Sequence, residues 1–219
     1  MARIGKTAWR DNYSTFETGS APSLRSQLST ARIGQLRDVI RSARQSEARV
    51  EEIKLIGCRL VTVMHSVAIG ALFALQCFHV LFLALHDWIP LGSLNDVKAV
   101  RVANPVHKLV AGTLISLIPF AIGLSASAIH FGGAYPSWLF WWLWISYGLL
   151  FIGELEAWWV PYLFRSEPIR AARYQLMFGA THAFLPERNG IRPNTLHVIL
   201  HLATLATLIV LGALTVRRG

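Results

Sequence analysis

Charge is scarce in this chain. Of its 219 residues only 15% are Asp, Glu, Lys or Arg, against about 25% in an average soluble domain. With 53% hydrophobic residues arranged in long apolar runs, this composition disfavours a soluble globular fold and points to an integral membrane protein. Cysteine is almost absent. Cys58 and Cys77 lie on the same apolar segment, and 19 residues of helix would hold them roughly 28 Å apart. They cannot pair, so a disulfide framework is excluded, and no CxxC suggests a zinc or redox knuckle. Catalytic signatures are missing too. There is no GxSxG, P-loop, HExxH or glycine-rich dinucleotide turn, so nothing assigns an enzyme. No nucleic-acid recognition motif accompanies the basic charge, and no inverted repeat of the transporter kind is visible.

What the chain does have is arginine, apolar length and histidine. The formal net charge is +9, and much of the surplus Arg precedes residue 60. Acidic lipid headgroups are the expected partner of that region. Residues 1–28 read as a flexible polar tail. Residues 29–55 read as a basic amphipathic surface helix or as a solvated helix leading into the first span, with Ile33, Leu36, Ile40 and Ala43 in one stripe and Arg32, Arg37, Arg41 and Arg44 on other faces. Ser29 or Thr30 could cap its start. More than 50 polar residues before the first apolar run do not resemble a cleavable signal, so that run is expected to be an uncleaved anchor.

Residues 56–219 read as a four-span transmembrane domain. The expected spans are residues 60–86, 106–130, 137–163 and 195–216, each long enough for about 30 Å of hydrocarbon. Pro193-Asn194-Thr195 suits a helix start, and Gly132 to Pro136 suits a tight turn. The fold class expected is therefore all-α: an integral membrane four-helix bundle with a basic amphipathic N-terminal helix. Trp138, Trp141, Trp142 and Trp144 at one end of the third span, and Trp158, Trp159 and Tyr162 at the other, read as two aromatic belts. The positive-inside comparison favours a cytoplasmic N-terminus only narrowly. The expected location is a bacterial cytoplasmic membrane, with a second copy or a membrane-complex subunit as possible protein partners.

Six histidines and two glutamates fall on one side of this arrangement: His79, His86, His107, His182, His197 and His201, with Glu154 and Glu156. Helix rise puts His79, Glu154 and His201 each roughly 9–12 Å into the same leaflet. Glu154 and Glu156 point about 200° apart, and Glu154 is the one expected to face inward. Ionisable groups at membrane depth are costly and usually have a reason to be there. The cluster reads either as a structural network without a cofactor, with Glu154 paired to a histidine or to Arg173 in a transport component, complex subunit or scaffold, or as a proton or solute pathway through Glu154 and the histidines. A transition-metal site would use His79, Glu154, His197 and His201, with His107 in reserve, because histidines at i and i+4 can share one ion. A single b-type haem would take His79 and His201 as axial ligands. The 164–194 loop, with Phe178, Phe184 and Leu185 among turn formers, is expected either to cover the cluster as a lid, with His182 beneath it, or to form a short interfacial helix near residues 167–178.

Overall fold

The computed structural model describes residues 24–216, and all regular structure among them is helical. Residues 1–23 of the expected tail lie outside the described residues, as do Arg217 and Arg218. Helix α1 runs from Leu24 to Leu85, α2 from Val97 to Ala103, α3 from Val106 to Ile129 and α4 from Ser137 to Glu154. A π-helical turn, Leu155–Trp159, joins α4 to the short α5, Val160–Leu163; α6 is Pro168–Phe178 and α7 is Thr195–Val216. Four stretches are long and apolar enough to cross a membrane: Gln35–Leu85, Val106–Ile129, Ser137–Leu163 and Thr195–Val216.

In the first of these, α1 is unbroken from Leu24 through both the 29–55 segment and the span from 60, and it begins upstream of the cap sites expected at Ser29 and Thr30. No proline interrupts residues 24–85, and a lone glycine such as Gly57 costs too little to end a helix. The chain nevertheless divides into two units after Cys58. In the first, Ile33, Leu36 and Ile40 are exposed along their stripe.

In the second unit, α1, α3, α4 and α7 contribute to one apolar core. Each helix turns a face of three- and four-residue spacing inward. On α1 that face is Ile69, Leu72, Gln76, His79 and Leu83; on α4 it is Leu139, Leu143, Tyr147 and Glu154; on α7 it is Leu200, Thr204, Thr207, Leu211 and Leu214. Gly123 lets α3 approach α4 closely, since a Cβ there would sit 3.0 Å from Leu143 Cδ2. The opposite faces are apolar and exposed, as at Ile115, Trp141, Leu149 and Leu202. Large exposed apolar surface of this kind suits a lipid environment.

The two ends of the core differ. At one end, which we call the turn end, α3 passes to α4 through the Gly132–Pro136 turn. At the other, the loop end, residues 86–105 and 164–194 pack together. The backbone N–H of His182 donates to Ser93 O at 2.6 Å, and Arg173 Nη2 donates to Asn104 Oδ1 at 2.6 Å. Within the longer loop, Asn189 and Gly190 both adopt positive φ, 52° and 76°, while Arg188 and Ile191 exchange backbone hydrogen bonds. This is the two-residue hairpin turn that Asn-Gly favours. It seats Ile191, fully buried, against Trp158 and Tyr162. The loop therefore carries a helix, α6, where residues 167–178 were expected to form one, and packs Ile191 and Phe178 against Trp158.

Candidate functional site

The polar centre of the core is built on Thr204. Its hydroxyl lies 3.1 Å from His79 Nε2 and donates to Glu154 Oε1 at 2.8 Å, joining α1, α7 and α4. All three side chains are buried. His79 Nδ1 is 2.7 Å from Leu75 O, the carbonyl one turn earlier. A carbonyl only accepts, so Nδ1 carries a proton and Nε2 is the nitrogen available for exchange. Tyr147 packs edge-on to the His79 ring at 4.9 Å, and Phe120 lies 6.4 Å away. Glu154 Oε2 is buried and has no hydrogen-bond partner.

Proton counting shows what this chain of groups can do. Thr204 has one hydroxyl proton, for which Leu200 O at 3.1 Å is a further acceptor within α7; the two states that matter to the side chains are those in which it goes to Glu154 or to His79. If that proton goes to Glu154, then His79 must donate from Nε2 and is an imidazolium beside a carboxylate. If it goes to His79, then Glu154 Oε1 must itself be protonated, and both partners are neutral. The two states hold the same number of protons. They interconvert when Glu154 passes its proton to Thr204 Oγ1 as Thr204 passes its own to His79 Nε2. The unpartnered Oε2 favours the neutral state, because an incompletely bonded buried carboxylate is expensive. With one proton fewer, a lone pair faces a lone pair at one of the two contacts. The geometry thus suits holding one shared proton.

A second group lies toward the loop end. The indole N–H of Trp159 donates to His201 Nδ1 at 3.0 Å, which puts the His201 proton on Nε2. His197 Nδ1 bonds Asn194 Oδ1 at 2.6 Å, and the His197 backbone N–H donates to the same oxygen at 3.1 Å, so Asn194 caps α7. Trp158 is packed by Tyr174 at 4.5 Å, His197 at 4.6 Å and Phe178 at 5.3 Å. His86 stacks on Phe82 at 4.7 Å and lies 6.1 Å from His197.

The inward turn of Trp158 and Trp159 has a backbone cause. Pro161 has no N–H, so the carbonyls a turn earlier lose a partner, and the helix widens into the π-turn. The freed groups are bonded from α6: Arg170 Nη1 donates to Glu156 O at 2.6 Å, and Tyr174 Oη donates to Ala157 O at 3.0 Å. This corrects the belt reading of Trp158 and Trp159, which face protein rather than headgroups. Glu156 is exposed and Glu154 buried, in keeping with the 100° step per residue.

The proposed metal ligands do not form a ligand shell. Among the described residues no three of His, Cys, Asp and Glu are grouped so as to hold an ion. Lone-pair accounting gives the reason. His79 spends Nε2 on Thr204 and His201 spends Nδ1 on Trp159, while Glu154 gives Oε1 to Thr204 and keeps Oε2 unpartnered. Of the three histidines only His197 keeps a ring lone pair clear of such a bond, on Nε2, since His201 Nε2 carries that ring's proton. The same bonds engage the lone pairs of both candidate haem ligands, His79 and His201. His107 is exposed at the start of α3, and His182 is exposed with Nδ1 on Thr195 Oγ1 at 2.7 Å, so neither joins the cluster or sits beneath a lid. Thr204 was missed in the sequence, although it continues the His197–His201 stripe at i+7. Gln76, three residues before His79, was missed as well.

Comparisons of the chain with protein families, with curated proteins and with solved structures give no match.

Proposed function

We propose that this chain is a four-span integral membrane protein and a transport component, in which the His79–Thr204–Glu154 relay takes up and passes a proton. The carrying observation is the Thr204 hydroxyl within bonding distance of both an imidazole nitrogen and a carboxylate oxygen, all buried in the core. A buried ionisable pair at this depth has no evident structural need, because apolar residues would pack the same faces. The 29–55 segment, with its exposed apolar stripe between arginines, binds acidic headgroups on the cytoplasmic face of a bacterial membrane. Trp138 and Trp141, exposed at the turn end, anchor at headgroup depth or contact a second copy or another membrane subunit.

Purified protein in vesicles carrying an internal pH dye tests the reading. An imposed pH gradient should collapse faster with the wild type than with Glu154→Gln or Thr204→Val. Equal rates for all three would remove the proton-transfer role and leave a membrane-complex subunit with a structural polar core.

A further inference from the structure

The loop end also carries a cationic groove with an apolar rim, apart from the buried relay. This groove, of ≈590 Å³, is lined by Ser166, Glu167, Ile169, Arg170, Arg173 and Tyr174. Arg165, next in sequence to Ser166, donates from Nε to Glu167 Oε1 at 2.9 Å, and Arg170 Nε lies 2.9 Å from Glu167 Oε2. The Arg165 hydrogen bond holds the Glu167 carboxyl below the usual carboxylate range, so Glu167 stays ionised. Three arginines against Glu167 and the nearby Glu156 leave a net charge of +1. A guanidinium has five N–H donors. Arg165 spends donors only on Glu167, and Arg173 spends one on Asn104. Arg165 is 66% exposed, and Ser166 and Arg173 are exposed beside it, so the remaining donors are within reach of an outside acceptor.

Apolar side chains edge the groove. Phe164 is 80% exposed and Ile169 89%. On α6, Ile169, Ala172 and Leu176 share one face by their spacing of three and four, and all three are exposed. The other face is fixed to protein: Met177 packs with Val100 and Leu109, and Tyr174 and Phe178 pack against Trp158. Depth decides what covers the free face. The third span-length stretch, Ser137–Leu163, has 27 residues, about 40 Å of helix. Hydrocarbon takes up about 30 Å of that, so a centred helix ends in the headgroup layer. Phe164 and Arg165 follow directly on that end. Acyl chains therefore lie within reach of the apolar rim, and phosphates within reach of the arginines, which pair bidentately with them.

We propose that Arg165 and Arg173, with Ser166, hold the phosphate of an anionic phospholipid whose acyl chains cover Phe164, Ile169 and Leu176. This site rests on the four-span reading, is independent of the relay, and is separate from the headgroup attraction of the 29–55 segment. Arg170 takes no part, since it is spent on Glu167 and on the Glu156 carbonyl. The net positive charge selects an anionic lipid over a zwitterionic one, whose ammonium group the arginines repel.

Photocrosslinking of the full chain in vesicles of equal phosphatidylcholine and phosphatidylglycerol tests this. A trace of one lipid or the other carries a diazirine on an acyl chain, and peptide mapping by mass spectrometry reads the label. The phosphatidylglycerol probe should label residues 163–176 about fivefold more than the phosphatidylcholine probe. Arg165→Gln and Arg173→Gln should each lower that label about fivefold, the effect of one cation beside an anionic headgroup, while labelling of exposed Ile115 on α3 stays unchanged. Circular dichroism checks that each variant retains its helix content. Equal labelling by the two probes, or undiminished label in both variants, overturns the site. Loss of label to inorganic phosphate, added at constant ionic strength, overturns the lipid in favour of free phosphate. Label on the spans but none on residues 163–176 overturns it in favour of a protein on that face, a second copy or another subunit. No label anywhere along the chain removes the four-span reading itself.

Discussion

Thr204→Val is the sharpest test of the site, because valine matches threonine in shape and removes only the hydroxyl. In the native core that hydroxyl touches His79 Nε2 at 3.1 Å, Glu154 Oε1 at 2.8 Å and Leu200 O at 3.1 Å. The Leu200 carbonyl belongs to the α7 backbone and loses only a secondary acceptor contact. The other two partners are buried, so each is left unsatisfied. In water-soluble proteins each such group costs about 1–3 kcal/mol, whereas hydrogen bonds within membrane helices average about 0.6 and reach about 1.7 kcal/mol. The membrane scale is the appropriate one for four apolar helices, and two bonds then give a loss of about 1–3 kcal/mol. The measurement is reversible unfolding in mixed detergent, followed by tryptophan fluorescence and circular dichroism. Thr204→Ser, which keeps the hydroxyl and loses one methyl, should cost under about 1 kcal/mol. A double-mutant cycle of Thr204→Val with Glu154→Gln should show a coupling of about 0.6–1.7 kcal/mol. If Thr204→Val unfolds within about 0.3 kcal/mol of wild type, the hydroxyl bridge does not hold these helices together.

Three further outcomes follow from the packing. Trp159→Phe removes the indole N–H that His201 accepts at 3.0 Å and should lower stability by about 1 kcal/mol in the same unfolding assay. Gly190→Ala should be destabilising by about 1–2 kcal/mol, because its φ is +76° and the new Cβ would sit 2.9 Å from Ala171 Cβ; a melting temperature equal to wild type would contradict this. Arg170→Met with Tyr174→Phe leaves the Glu156 and Ala157 carbonyls without their α6 donors, and amide exchange across residues 160–178 should rise about tenfold in mass spectrometry.

Much of the helical plan was legible because apolar runs are long-range compositional signals. Lipid-length segments, the Asn194 cap and the Asn189-Gly190 turn each carry their cause locally. Helix geometry alone separated Glu154 from Glu156, but the choice of Glu154 as the inward one rested on placing Trp158 and Trp159, beside Glu156, at headgroup depth, which the packing of those tryptophans does not follow. The site was legible only as depth. Depth put His79, Glu154 and His201 in one layer but could not distinguish convergence on an ion from separate hydrogen bonds. The deciding residues were neutral: Thr204 joins His79 across 125 positions of sequence, and an isolated threonine on an apolar helix attracts no notice. The tryptophans misled because their direction depends on Pro161 and on donors from α6, a tertiary effect. His107 and His182 shared a side with the others, yet the paths of the connecting loops leave them at the surface.

Because Thr204 sits on α7, which follows α1 and α4 in the chain, the His79–Thr204–Glu154 bridge cannot form until α7 has joined them. A ribosome-bound chain that has released α1 and α4 already exposes His79 and Glu154, with their bonding partner still unmade. Such an intermediate carries an unsatisfied carboxyl group, which lipid tolerates poorly. Docking of α7 therefore closes two hydrogen bonds at once, one to α1 and one to α4, and removes that cost in a single step.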